Sequence, residues 1–391
     1  MKIAAVEAYV VKIERDAQNN NRTTPLTQDY YLLDQPLSVI YSRKNETVLV
    51  KIVTDEGITG WGEALVPTNP EVVFSLIQTG LAPAIIGWDP IEHETIQNRL
   101  YNMYRVRGYE GGFLQDAMSA IDIALWDIKG KAFHQPCYKL MGGSDKERVA
   151  LYMSANRGAS PRERIEDIRR CFDEGITAYK LHALDCGWRG VAQVLEAVRA
   201  DYAPDRYALM HDGHWNYTLP EALKLGSVID ALDMDFYECP LAPEDMEGYA
   251  ELAARLKTPV AAGESIRGVQ RFKQWIDRKA VRFLQPDVGR VGMTDYLKIA
   301  LLAEAAGLQT GPHLSVHQSV GVMASVHLAF AVRSTKYLEY QPLSVKTARV
   351  FSDFDFVISD GALQRPTQVG LGVDISEKSL ALYTTQHARI Q

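Results

Sequence analysis

Six ionisable residues stand at near-constant intervals in the second half of the chain. They are Asp212, Glu238, Glu264, Asp287, His313 and Glu339, separated by 26, 26, 23, 26 and 26 residues. Each closes a short apolar run and precedes a stretch with helical spacing, so the interval is that of a strand–helix unit. A parallel barrel places successive strand ends around one mouth, which would gather all six side chains into one pocket. Asp212, Glu238 and Glu264 would repel one another unless a hard cation lay between them, and oxygen-only donors with room for water suit Mg2+. A single strand-end acid is usually a helix cap or a surface charge; three at equal spacing argue for a metal site. Asp287 and His313 end the next two strands, and an imidazole made more basic by a carboxylate is a general base.

Further candidates lie beside this series. Lys180 and His182 are two residues apart, so on a strand both face the same side and would flank a bound anion. His214 follows Asp212 by two and points to the same mouth if the extended chain continues, where it would protonate a leaving hydroxyl. His211 alternates to the other side and is expected to pack under a helix. His317 is expected in a loop or helix start, as a structural or substrate-facing residue. Glu339, if protonated, would hydrogen-bond the substrate or an oxyanion.

The elements that must position these groups fall into two patterns. Residues 2–13 are rich in Ile, Val and Tyr, and 46–54 (ETVLVKIVT) alternate apolar with polar, followed after Asp55-Glu56-Gly57 by ITGWGEA as the return strand of a hairpin. The polar, Pro-punctuated stretch around 16–36 reads as a long loop of the kind that forms lids. Three helical patterns follow between 69 and 133, which predicts an α+β capping domain over 1–135. After Gly142-Gly143 strands and helices alternate. VALYMSA, AYKLHAL, YALMHD, DFYECP, PVAAGES, VRFLQPD, LQTGPH and KYLEYQ are eight strands, predicting an α/β chain with a (β/α)8 TIM-type barrel over 145–365. Ser160-Pro161 is a natural start for the first barrel helix. The tail 366–391, with GLGVDISE and a β-prone KSLALYT, is expected to return to the capping domain. A doubly wound open sheet is the structural alternative, weakened because no G-x-G-x-x-G follows a strand and no dinucleotide site is indicated.

Composition bounds the remaining classes. With 391 residues and 47% hydrophobic content the chain can bury a large core, and a net charge of -7 argues against a general nucleic-acid binder. Cys137, Cys171, Cys186 and Cys239 are scattered and read as reduced thiols. The start, MKIAAVEAYVVKIERD, reads as a strand rather than a leader, and no apolar run approaches the ~20 residues that span a bilayer. No membrane association and a cytoplasmic location are the expectation.

Taken together, AIDIALWDIKGKAFHQPCYKLMGG, YKLH, HDGHWN, YECP, AGES, QPDVGRVGM, GPH and LEY, in this order and spacing, resemble the enolase superfamily and its mandelate racemase subgroup over nearly the whole chain. The resemblance implies a modified, enolase-like barrel with a capping domain completed by the C-terminal tail. It implies Mg2+ on Asp212, Glu238 and Glu264, a His313–Asp287 dyad, Lys180 on the substrate carboxylate or a metal-bound oxygen and Glu339 on the enediolate, with homo-oligomeric assembly common. His182 departs from the pattern, standing where many racemases carry a second Lys, and Asp212-x-His214 resembles some galactonate and mannonate dehydratases. The expected function is therefore dehydration of a small sugar acid, an aldonate or aldarate. Epimerisation or lactone cycloisomerisation are the enzyme alternatives, and a non-catalytic sugar-acid-binding protein is the remote one.

Overall fold

The computed structural model describes all residues except 16–22, 34–36, 156–157, 159 and 183–185. The N-terminal part contains strands β1 (Ile3–Glu14), β2 (Thr23–Pro25), β3 (Tyr30–Leu33), β4 (Val39–Ser42), β5 (Lys44–Thr54) and β6 (Thr59–Ala64). The alternation in ETVLVKIVT and ITGWGEA produces the antiparallel β5–β6 hairpin, with Gly57 at φ 82° in the turn. β1 pairs with β5 along almost its whole length. Helices Pro70–Leu76, His93–Arg105 and Phe113–Ala132 follow, as their three-and-four apolar spacing predicts.

Helix Phe113–Ala132 is buried along most of its length because β6 covers it on one side and helix Val288–Ala305 on another. Gly60 and Gly62 permit that contact: a Cβ at Gly62 would lie 1.7 Å from the Ala120 carbonyl oxygen. Across the other side, the Trp126 indole donates to Thr294 Oγ1 at 2.9 Å and Asp122 accepts from the Thr294 hydroxyl and amide.

The 16–36 stretch differs from the expected loop. Its described part forms β2 and β3, which with β4 make a three-stranded antiparallel sheet. Stacking of Tyr31 on Tyr41 across β3 and β4, with ring centroids 5.8 Å apart, supplies the cross-strand pair that holds it. Residues 16–22 and 34–36 of the expected lid lie outside the described residues.

The eight predicted strands follow as β7 (Arg148–Ala155), β8 (Ala178–His182), β9 (Ala208–Asp212), β10 (Phe236–Glu238), β11 (Val260–Ala262), β12 (Phe283–Leu284), β13 (Gln309–Thr310) and β14 (Tyr337–Tyr340). β7 to β13 pair in parallel, each with the next. β14 pairs in parallel with β7, and a parallel bridge from Thr310 of β13 to Thr335, two residues before β14, brings the sheet round on itself. Helix Pro161–Asp173 begins at the predicted cap, where Ser160 Oγ accepts the Glu163 amide. Two-residue alternation puts Tyr152, Ala178, Met210, Phe236, Ala261 and Phe283 into one buried cluster inside the barrel. Met210 and Phe236 stand two residues before Asp212 and Glu238, so the apolar cluster floors the polar layer above it.

Past the barrel, β15 (Ile358–Ser359) and β16 (Ala362–Gln364) form a hairpin whose second strand adds antiparallel to β7. The KSLALYT segment is not the predicted strand. Glu377–Tyr383 is a helix, capped where Ser376 Oγ accepts the Ser379 amide and anchored by buried Leu380. The returning strand is β17 (Thr384–Ile390), which pairs antiparallel with β1. No helix among the described residues is long and apolar enough to cross a membrane.

Candidate active site

Every member of the six-residue series lies at or just beyond the C-terminal end of its strand. Asp212 and Glu238 are in register with each other on β9 and β10, and His182 is in register with Asp212 from β8. Asp287 and His313 form a bridge immediately after β12 and β13. Glu339 is on β14, and is fully buried like Asp287.

Lys180 occupies the centre. Its Nζ is 2.7 Å from Glu238 Oε2 and 2.9 Å from Glu339 Oε1, and it lies 5.2 Å from the centroid of the Tyr152 ring. Burial alone would push this ammonium down, but Glu238 and Glu339 outweigh it and hold it well above its ordinary value. Lys180 is therefore a fixed cation. Burial likewise opposes ionisation of Glu339, yet Lys180 and His313 bring it down to about 2. Glu339 is thus ionised rather than protonated, and also accepts the Leu314 amide at 3.0 Å.

Glu238 behaves differently. Burial, against Lys180 and together with Asp212, Glu339 and Glu264, pushes it up to about 7. It accepts a 2.7 Å hydrogen bond from Gln285 Nε2, a contact that strand spacing does not reveal. Asp212 is held low despite burial, because His182 and Lys180 are close: His182 Nδ1 is 3.1 Å from Asp212 Oδ2. The other ring nitrogen of His182 meets Ser154 Oγ at 3.0 Å.

Asp212, Glu238 and Cys239 bring ligand atoms within 4.8 Å of one another. Glu264 points to His313 instead, with Oε2 2.7 Å from Nε2, because an imidazole attracts it where the other carboxylates repel. Burial would raise Glu264, but His313 wins and lowers it. Cys239 is kept protonated, its thiol pushed well up by burial and by Glu264 and Glu238. The oxygen donors on three adjacent strand ends fit a hard divalent cation. Four carboxylates, Asp212, Glu238, Glu264 and Glu339, surround the one ammonium of Lys180 here.

The dyad is formed directly: His313 Nδ1 is 2.6 Å from Asp287 Oδ2. Burial works against a charged His313, but Glu264 and Glu339, with hydrogen bonds to Asp287 and Glu264, hold it well above its usual value. Asp287 Oδ1 caps helix Val288–Ala305 by accepting the Gly289 amide at 2.8 Å.

His214 departs from the strand-based expectation, whereas His317 lies in the loop just before helix Ser319–Ala331, as expected. The extended chain ends at Asp212, and His214 turns into the left-handed region at φ 46°, with its amide donating to Asp212 Oδ1 at 2.8 Å. Its Nε2 lies 3.2 Å from the Tyr41 hydroxyl of β4, so the small sheet reaches the pocket mouth. His211 packs as expected, with its nitrogens 2.9 Å from the Leu181 carbonyl and the Tyr217 hydroxyl. His317 has no solvent exposure and turns from the pocket onto the back of Asp287.

Burial lowers His317, but Asp287 and Glu63 overcome it and raise it from 6.5 to about 9. A folded value raised in this way means that the contacts of the charged ring stabilise the fold. The sign follows from a raised folded value: the contribution is complete below about 6.5 and lost as pH rises through about 9. Denaturant midpoints should therefore fall between pH 7 and 10, and His317→Gln should flatten that slope.

Residues 163–379 match the family described as enolase C-terminal domain-like, and residues 29–142 match the mandelate racemase / muconate lactonizing enzyme N-terminal domain. The chain belongs to the enolase superfamily. Within it, this mandelate racemase subgroup member is 32% identical to D-galactarolactone cycloisomerase from Agrobacterium fabrum (strain C58 / ATCC 33970), covering 97% of this chain and 98% of the relative. It is 31% identical to D-galactonate dehydratase from Variovorax paradoxus (strain S110), over 85% and 90% of the two chains. Among solved structures, L-talarate dehydratase from Polaromonas sp. JS666, complexed with Mg and L-glucarate, matches with a TM-score of 0.83 at 25% identity. It covers 100% of this superfamily member and 99% of that chain.

Proposed function

We propose that this enolase-superfamily enzyme is a Mg2+-dependent acid-sugar dehydratase. It would convert an aldonate or aldarate into a 2-keto-3-deoxy sugar acid. One observation carries the reading: strand order flanks the carboxylates of β9, β10 and the end of β11 with imidazoles on both sides. His182 contacts Asp212 from the β8 side, and His313 contacts Glu264 from the β13 side. One side can take a proton while the other gives one.

Asp212, Glu238 and Glu264 would hold Mg2+, which when bound would supply Lewis-acid stabilisation of the charge developing on the substrate carboxylate. His313, oriented by Asp287 and left neutral once Glu264 turns from it to the cation, removes the proton α to that carboxylate, and the C–H pair moves into an enediolate. Lys180 contributes a fixed positive charge to the same oxygens. The C–O bond at the β-carbon then breaks, and the departing hydroxyl takes a proton from His214, His182 or His313 and leaves as water. The enol tautomerises to the 2-keto acid.

The full-length match to a galactarolactone cycloisomerase favours a second reading with the same first half. If the β-oxygen expelled is the ring oxygen of a lactone, the ring opens and no water is lost. Epimerisation through Lys180 is disfavoured, since an ammonium held by Glu238 and Glu339 has no lone pair for an opposite-face base.

A semicarbazide assay over a panel of aldonates, aldarates and their lactones tests the reading, with product mass recorded. The expected result is a 2-keto acid one water lighter than an open-chain acid. A keto acid formed only from lactones, at unchanged mass, would establish the cycloisomerase instead.

A further inference from the structure

The dyad continues behind Asp287. His317 Nε2 is 3.0 Å from Asp287 Oδ1 and 3.2 Å from Oδ2, so it bridges both oxygens of the carboxylate that meets His313. The Gly289 amide adds one further bond to Oδ1. On its other side His317 Nδ1 stands 3.8 Å from Glu63 Oε1, beyond hydrogen-bond range but within reach of charge attraction. Glu63 is itself immobilised: it accepts the Gln318 amide at 2.7 Å, the Gly321 amide at 2.8 Å and the Thr47 hydroxyl at 3.1 Å. Glu63, His317 and Asp287 have no solvent exposure, and His313 is 5% exposed.

The ring sits in a slot made for it. A Cβ at Gly289 would lie 2.5 Å from His317 Cε1, and one at Gly321 would lie 2.3 Å from Nδ1. Packing alone does not require imidazole there, because an apolar side chain of similar volume would also fill the space. A donor facing Asp287 adds a bond to both of its oxygens, beside the Gly289 amide on Oδ1 and His313 on Oδ2, and so holds the plane of the carboxylate independently of His313.

We infer that His317 is a positioning residue, clamped between Glu63 of β6 and Asp287, that holds Asp287 in the orientation His313 requires. It ties the N-terminal sheet to the base across the interface of the two parts of the chain. The catalytic half of this inference rests on the reading of His313 as the base. The structural half does not.

The test compares His317→Gln, whose amide nitrogen reproduces the Nε2 donor, with His317→Met, which fills the slot without one. His317→Asn, too short to reach Asp287, serves if the Met variant does not fold. The first readout is the low-field proton resonance of the His313 Nδ1–H bonded to Asp287, recorded without substrate. The expected result is that it broadens or moves in the Met or Asn variant and returns in the Gln variant. The second readout is α-proton exchange in deuterated buffer: kcat should fall about 100-fold without the donor, at unchanged KM, and recover with Gln. A His313 resonance the same in all variants overturns the inference, as does a loss of kcat in the Met variant that Gln does not restore. Wild-type protein that exchanges no acid at all would count against His313 as the base, while the resonance would still decide the role of His317.

Discussion

His313→Asn is expected to lower turnover by about 10²- to 10⁴-fold, the range associated with a positioned general base, while divalent-cation affinity changes little. The asparagine amide stands where Nδ1 is, so the hydrogen bond to Asp287 survives and the local packing with it. What disappears is Nε2, the nitrogen that faces Glu264 at 2.7 Å and is the atom available to take a proton. Glu264 loses a competing cation at the same time, so Mg2+ titrated calorimetrically should bind at least as well as in the wild type. Unchanged turnover would remove His313 from the role of base.

The second large effect concerns Lys180. In Lys180→Met, Glu238 and Glu339 remain buried with their shared cation gone, and breaking a buried pair in this way costs about 3–5 kcal/mol. Glu238, already at about 7, should rise further and become protonated at neutral pH. Chemical denaturation at pH 7 should show the loss. Mg2+ should recover part of it by binding the folded state alone. Activity should not return with it, because the fixed positive charge beside the substrate carboxylate is missing. A Met variant as stable and as active as the wild type would contradict the central place given to this residue.

The barrel was legible because its evidence is periodic. Each apolar run ends in a polar residue, the runs recur at one interval, and parallel pairing then fixes which strand ends are neighbours. Alternation within a strand even ranks the groups in depth, with Met210 and Phe236 in the floor and Asp212 and Glu238 above them. Which carboxylate takes which cation was not legible. Lys180 reaches across β9 to Glu238, and Glu264 turns to His313 rather than to its fellow acids. Those choices follow from mutual repulsion in a buried cluster, which no strand-by-strand reading contains.

Three other features escaped for local reasons. His214 leaves the strand geometry because the chain enters a left-handed turn one residue after Gly213, so an i, i+2 argument no longer applies. The tail strand lies in TTQHARI, an edge strand mostly open to solvent that lacks the apolar alternation by which strands are recognised, while the better-looking KSLALYT is capped as a helix. Glu63 and His317 are 254 residues apart in the chain and meet where Gly289 and Gly321 leave room for the ring and the Gln318 and Gly321 amides hold Glu63. Glu63 is wholly buried and committed to backbone amides.

The central claim is that this pocket removes a proton α to a carboxylate and then expels the β-hydroxyl. Proton NMR of the enzyme with Mg2+ and a panel of sugar acids in deuterated buffer addresses both halves together. The account predicts loss of the α-proton signal of one or more acids, matched by a 2-keto-3-deoxy product carrying deuterium at the C3 methylene. Deuterium appearing at the α-carbon of substrates that keep all their hydroxyls, or no exchange in any acid tested, would contradict it.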